Sequence, residues 1–412
     1  LVWIFLILLF PVFGWLFYLI FNGQRSAKGL NKKVTAIHSI TKENFTLYGD
    51  CIEEARAASP NHVQQINYLQ NCCGFPVYSG TYTQYLSPGE EKFRVMLEEM
   101  KKAEKYIFIE YFIVEDGYMW SSVLEVMREK AAQGVDVRMI YDDIGCLLRI
   151  PTDFISQLKK YGIKCTVFNP FRPVLTALQN NRDHRKITVI DGRVAITGGV
   201  NLADEYINRH SRFGHWKDAS VLLRGPGAWS FTVMFLQMWA LCTGVHEDYR
   251  DFFPDVPAED CGGFVQPYTD SPLDLEDVNE HVYLRMINGA KKYIYINTPY
   301  LIINDQFMSA LTQAAKSGVD VRIVTPHRWD KWYVHITTRS FYKDLIEEGV
   351  KIYEYSSGFI HSKTFVADDE VATIGTANLD YRSLYLHFEC GVCLYKTDAV
   401  MELKEDFLKT LQ

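Results

Sequence analysis

At 412 residues the chain can hold two core-bearing units, and 48% hydrophobic with 23% charged residues is ordinary globular composition, which excludes a disordered protein. A formal net charge of -7 leaves no global cationic field to gather the phosphates of a long nucleic acid, so a DNA or RNA enzyme is disfavoured. Nine cysteines, odd in number and scattered through apolar segments, point to reduced thiols on the cytosolic side rather than to a disulfide framework.

The first element, residues 1–22, opens LVWIFLILLFPVFGWLFYLIF and carries no charge through Phe21. It reads as a membrane-inserted or transmembrane segment, with Pro11 and Gly14 interruptions that membrane helices tolerate and that also suit a kinked or partly re-entrant segment. Arg25, Lys28, Lys32 and Lys33 follow, which by the positive-inside rule places the next domain on the cytoplasmic face. A start at Leu1 rather than Met leaves room for an earlier membrane helix. Residues 23–80 read as a connector, helical around Asn61 to Gln70 and punctuated by Gly74, Pro76 and Gly80.

Two halves with one grammar follow, 81–260 and 261–412. AEKYIFIEYFIV (103–114) resembles AKKYIYINTPYLI (290–302), and GVDVRMIYDD (134–143) resembles GVDVRIVTPH (318–327). LKKYGIK (158–164) then answers LIEEGVK (345–351). This is an internal duplication far longer than a solenoid repeat. Alternating strands and helices predict an α/β fold made of two sheet-plus-helix halves related by a pseudo-twofold. Half one carries an insertion before its motif, containing FRPVLTAL (171–178), which suits a packed loop or a lipid-touching lip.

Each half then reaches a His-x-Lys-x4-Asp motif: His184, Lys186 and Asp191, then His361, Lys363 and Asp368. Matched asparagines follow at Asn201 and Asn378, 17 residues after each histidine. One copy would be weak evidence; two inside a duplicated frame are strong. Alternation along a strand turns His and Lys to one face, where both copies can meet in one pocket. A phosphodiester needs cations on its non-bridging oxygens, a nucleophile behind phosphorus and an acid at the leaving oxygen. Two histidines and two lysines supply these parts, with Asn201 and Asn378 as further donors to the phosphate. Asp191 and Asp368 belong to the catalytic motif but are expected to brace strand ends. Each histidine needs an orienting acceptor: Glu389 is the candidate within half two, and Asp218 within half one. No cluster has metal-ligand spacing, Cys390 and Cys393 read as packing thiols, and neither metal nor cofactor is expected.

At these residues the chain resembles the phospholipase D superfamily, and more narrowly the bacterial cardiolipin synthases. NHRKITVIDGRVAITGGVNLADEYIN is similar to that family's first signature, with Arg182 and Asp183 between Asn181 and His184. FIHSKTFVADDEVATIGTANLDYRSLYLHFE is similar to the second, and Pro11, Gly14, Tyr18 and Phe21 match a membrane-region pattern. The resemblance implies phosphatidyl transfer between two phosphatidylglycerol molecules at a bacterial inner membrane, giving cardiolipin and glycerol. It further implies His184 as nucleophile and His361 as general acid and base. A phospholipase D-type hydrolase or a phosphatidylserine synthase would use the same residues, and the near-symmetry leaves the histidine roles exchangeable. His387 departs from the pattern, which has Asn there; the other isolated histidines read as structural or surface groups. Two aromatic segments suit either core packing or a membrane seat: Trp229, Phe231, Met234, Phe235, Met238 and Trp239 in one, Trp329, Trp332 and Tyr333 in the other. Oligomeric state is not legible.

Overall fold

The computed structural model describes residues 2–21, 24–49, 51–171, 177–254, 259, 261–273 and 276–412. Most of the proposed lip, residues 172–176, lies outside the described residues.

Half one supplies β1 (Tyr82–Leu86), β2 (Tyr106–Tyr111), β3 (Asp136–Asp142), β4 (Lys164–Phe168), β5 (Arg182–Asp183), β6 (Lys186–Ile190), β7 (Val194–Gly198), β8 (His215–Lys217) and β9 (Ser220–Arg224). Half two supplies β10 (Phe264–Asp270), β11 (Tyr293–Asn297), β12 (Asp320–Pro326), β13 (Lys351–Tyr355), β14 (Gly358–Ile360), β15 (Thr364–Ala367), β16 (Val371–Gly375) and β17 (His387–Tyr395). The first sheet runs β1-β9-β7-β6-β2-β3-β4 and the second β10-β17-β16-β15-β11-β12-β13, the same path strand for strand. Orientation repeats too: β2-β3-β4 and β11-β12-β13 are parallel, while the other neighbours along each path are antiparallel. The fold is therefore mixed α/β and duplicated, with its parallel strands joined by helices as crossover geometry requires.

Two short strands break the separation of the halves. β5 of the first half pairs in parallel with β17 of the second, Arg182 opposite His387 and Asp183 opposite Phe388. β14 of the second half pairs in parallel with β8 of the first, Gly358, Phe359 and Ile360 opposite His215, Trp216 and Lys217. The exchange is reciprocal, as a twofold relation demands.

The helix Ala228–Thr243 is buried along its whole length from Ala228 to Ala240 and contacts strands of both sheets. Its lack of a polar face follows from this central position. Trp229, Phe231, Met234, Phe235, Met238 and Trp239 are core residues, not a membrane seat. The helix Gln24–Thr41 packs on it through buried Val34 and Ile37, and Gln237 Nε2 donates to Thr41 Oγ1 at 2.8 Å. The connector is thus more helical than its sequence suggests.

The amino-terminal apolar run is interrupted at the proline that the sequence marks. It forms two helices, Val2–Leu9 and Pro11–Phe21, broken at Phe10. Pro11 at the first position of the second helix lacks an N–H and has a fixed φ, which suits a start better than a helix interior. Among the described residues no helix is long and apolar enough to cross a membrane. Ile4, Leu8, Phe10, Val12, Phe13 and Trp15 are nevertheless exposed.

The motif aspartates close each central hairpin. Asp191 and Gly192 have φ of 53° and 65°, Asp368 and Asp369 of 58° and 63°. Arg193 N–H donates to the Ile190 carbonyl and Glu370 N–H to the Ala367 carbonyl, so both are two-residue turns of the type that follows strand twist. From that position the Asp191 carboxylate accepts from the N–H groups of Glu104, Lys105 and Tyr106, and Asp368 from those of Lys291, Lys292 and Tyr293. Both aspartates brace the start of the neighbouring strand, as expected from the sequence. Asp191→Ala leaves three donors without their acceptor and should destabilise the fold by about 2–3 kcal/mol. Asp368 is less buried, so Asp368→Ala should lower the thermal midpoint by less; a melting comparison of the two variants in detergent checks the order.

Candidate active site

Each motif histidine sits where a crossed strand delivers it. His184 follows β5, and its N–H donates to the Phe388 carbonyl at 2.9 Å; His361 follows β14, and its N–H donates to the Lys217 carbonyl at 2.7 Å. The next residues after those carbonyls are Glu389 and Asp218. His184 Nδ1 lies 3.0 Å from both Glu389 carboxylate oxygens, and His361 Nδ1 lies 2.6 Å from Asp218 Oδ2. The orienting carboxylates are therefore exchanged between halves, which corrects the same-half pairing expected from the sequence. The cause is backbone register: parallel pairing of β5 with β17 and of β14 with β8 sets each histidine N–H on the carbonyl just before the other half's carboxylate residue.

The two carboxylates are held differently. A Cβ on Gly199 would come within 2.1 Å of Asp218 Oδ1, so glycine is required for that carboxylate to lie against the backbone. The equivalent Thr376 instead donates its hydroxyl to Glu389 Oε2 at 2.5 Å. A shorter acid with glycine, or a longer acid with threonine, reaches the same place.

Lys186 Nζ donates to the His184 carbonyl at 2.5 Å, and Lys363 Nζ to the His361 carbonyl. All four motif side chains are buried; the histidines are each 7% exposed. Burial, joined by the Lys186 charge and opposed by Glu389, lowers the His184 pKa to about 3. Burial with Lys363 beside it takes His361 to about 4. Burial lowers Lys186 to about 8, and burial with the Lys186 charge lowers Lys363 to about 7. Burial alone would raise both acids, but His184 and His387 hold Glu389 well below the carboxylate range, and His361 and Lys363 hold Asp218 low. At neutral pH both imidazoles are uncharged with Nδ1–H on an ionised acid, leaving the Nε2 lone pair for an electrophile.

The walls are rings. Phe112 lies 5.0 Å from His184, centroid to centroid, and His387 5.4 Å. Trp216 lies 5.1 Å and Tyr206 5.5 Å from His361. The asparagines are partly committed: Asn201 Nδ2 donates to the Tyr206 hydroxyl at 2.8 Å and its Oδ1 accepts from Ile113 N–H, while Asn378 Nδ2 donates to Ser383 Oγ at 3.1 Å. Each amide keeps a second N–H.

A family model described as cardiolipin synthase, PLD-like domain matches residues 96–212 and 283–411, one copy over each half. The chain belongs to the cardiolipin synthase family. It is 37% identical to a cardiolipin synthase of Geobacillus kaustophilus over 402 residues, 97% of this chain and 80% of that protein. It is 44% identical to an uncharacterized protein of Streptococcus mutans over 421 residues, 100% of this chain and 89% of the relative. In fold it is similar to phosphatidylserine synthase of Haemophilus influenzae, with a TM-score of 0.63 at 15% identity, covering 83% of this chain and 89% of that one.

Sequence reasoning about this cardiolipin synthase-family chain missed two features of the site. His387, grouped with structural histidines and otherwise considered only for the acceptor pocket, stands beside His184 with Nδ1 3.5 Å from Glu389 Oε1. Buried charges also flank His184: Arg185 Nη2 meets Glu110 Oε1 at 2.5 Å and its Nε meets Asp183 Oδ1 at 3.3 Å, and Arg182 pairs with Asp142 at 3.4 Å. In half two the equivalents of Glu110, Asp183 and Arg185 are Asn297, Ile360 and Ser362, so the ion cluster belongs to one half alone. The charged run RDHR ahead of a core strand was the available signal.

Double-mutant cycles on turnover check the exchanged pairing. His184 with Glu389 and His361 with Asp218 should each show coupling of about 1–3 kcal/mol, read from the residual rates of alanine or glutamine variants. His184 with Asp218 should couple more weakly than His184 with Glu389.

Proposed function

We propose that the protein transfers a phosphatidyl group from one phosphatidylglycerol to a second, forming cardiolipin and releasing glycerol. The observation that carries this reading is the reciprocal pair of buried His–carboxylate dyads, flanked by two lysines, in a chain of the cardiolipin synthase family. His184 Nε2 attacks phosphorus, the phosphorus–nitrogen bond forms and the bond to the departing glycerol oxygen breaks. His361, protonated once the phosphodiester charge enters, gives its proton to that oxygen. It then takes the proton of the acceptor glycerol hydroxyl, which attacks the phosphohistidine from the side just vacated. Glu389 stabilises the positive charge of the first imidazole and Asp218 that of the second. Lys186 and Lys363, with the remaining N–H of Asn201 and of Asn378, face the non-bridging oxygens. Four groups able to carry positive charge make the scheme complete without a metal or cofactor.

Lipid delivery in this proposal uses two equivalent loops. After β3, Ile144, Leu147 and Leu148 are exposed, Leu148 at 97% with a left-handed φ of 63°. After β12, Trp329, Trp332, Tyr333 and Ile336 are exposed beside Arg328 and Lys331. Cavities of about 570 Å³ and 610 Å³ beside these loops share Arg212. Cations among exposed apolar groups suit an anionic bilayer. The exposed helices Val2–Leu9 and Pro11–Phe21 are proposed to enter the same inner membrane, with the catalytic body on its cytoplasmic face.

Purified protein incubated with phosphatidylglycerol in detergent should yield cardiolipin and free glycerol in equal amounts. Phosphatidic acid as the sole product would establish a hydrolase instead. His184→Ala should abolish phosphohistidine trapping and reduce turnover on the order of a thousandfold or more, and His361→Ala about 10²–10⁴-fold.

The lysines give the reaction a pH signature. Their ammonium forms bind phosphate and are lost as pH rises through about 7 for Lys363 and about 8 for Lys186. KM for phosphatidylglycerol should therefore rise on the alkaline side. Steady-state kinetics between pH 6 and 9 in Lys363→Met should show a flatter rise on a higher baseline (roughly, these values bracketing the two lysines).

A further inference from the structure

Among the described residues His387 Nε2 has no hydrogen-bond partner although the side chain is only 10% exposed, and its Nδ1 faces Glu389 Oε1 at 3.5 Å. Burying an imidazole nitrogen without a partner costs free energy unless something that enters the site supplies one. The groups facing it limit what that can be. His184, His387 and Glu389 each offer a ligand atom, and these atoms lie within 4.8 Å of one another. His184 Nδ1 is 3.0 Å and His387 Nδ1 3.5 Å from Glu389 Oε1. Ligands about 2.0–2.1 Å from a tetrahedral ion stand about 3.3 Å apart, so the two spacings to Glu389 are close to those of a bound metal, while the three atoms together spread over as much as 4.8 Å and the His387 ring must turn inward as the ion enters. Two imidazoles and one carboxylate form a donor set that suits a divalent transition ion.

We propose that His184, His387 and Glu389 form an inhibitory site for a divalent transition metal of the Zn²⁺ class. The second half has no equivalent. Trp216 occupies the His387 position beside His361 and Asp218, and an indole nitrogen offers no lone pair to a metal. Inhibition follows from the nitrogen used. A metal on His184 Nδ1 moves the single imidazole proton to Nε2, with no net gain or loss of protons, and Nε2–H has no lone pair for phosphorus. Glu389, now a metal ligand, no longer stabilises positive charge on that ring. Thr376 holds the other carboxylate oxygen, so Glu389 serves the metal through Oε1 without leaving its place.

Metal binding itself is independent of the phosphatidyl-transfer reading; only its inhibitory consequence rests on it. The test compares chelator-stripped wild type with His387→Asn and His387→Phe. In equilibrium dialysis against buffered Zn²⁺, wild type should bind one more equivalent than either variant, since zinc held by free cysteines is common to all three. Zn²⁺ should inhibit wild-type cardiolipin formation, with the half-inhibitory concentration at least about tenfold higher in the variants, the loss expected when a metal site is impaired. Co²⁺ added to unsubstituted protein should give tetrahedral d–d absorption beyond that accompanying any thiolate charge-transfer band of the free cysteines, a readout that needs no variant to fold. Equal zinc stoichiometry in all three proteins, equal inhibition, or cobalt spectra showing thiolate ligation alone would overturn the site. Absence of cardiolipin from metal-free wild type would overturn the proposed reaction, leaving the dialysis and cobalt results to decide the metal site.

Discussion

Parallel pairing of two very short strands across the duplication is the constraint on which the site depends. β5 and β14 contribute two and three residues of register, yet each sets a histidine N–H on the carbonyl that precedes the other half's carboxylate. A one-residue slip in either pairing would turn that short strand's side chains to the opposite face and separate the dyad it holds. The aspartate-braced hairpins and the helix Ala228–Thr243, which contacts both sheets, hold the strands against such a slip.

Burial then decides the chemistry. Imidazoles taken out of water stay neutral and nucleophilic, while the lysines beside them lose affinity for their protons until an anion arrives. A negatively charged phosphodiester restores charge to groups the empty site keeps close to neutrality. Binding and activation are in this sense one electrostatic event, and removing either lysine disturbs both. Carboxylates kept ionised by their histidine partners supply the fixed negative charge against which the other groups move.

The duplication, the paired motifs and the bracing role of Asp191 and Asp368 were legible because they are local: matched segments, fixed spacings and strand alternation. Asp218 and Glu389 were recognisable as orienting acids, but their assignment needed register across the halves, which spacing within one half does not encode. The same reason hid the cluster of His184, His387 and Glu389, whose members span 205 residues of chain. The Ala228–Thr243 helix could be read as core or as membrane seat because an apolar surface on all sides suits both, and only contacts distinguish them. At the amino terminus Pro11 marked the interruption, and the break falls just before it because proline suits a helix start.

The exchanged carboxylates carry a historical implication. A single half cannot complete a dyad from its own residues, but two identical halves facing each other across a twofold axis could each lend an acid to the other. Fusing such a pair into one polypeptide relieves the two surfaces of the requirement to be identical. Glycine with aspartate on one side and threonine with glutamate on the other, or tryptophan opposite histidine, are differences that no symmetric homodimer could express. An asymmetric donor and acceptor then become available to a site that began with two equivalent ends.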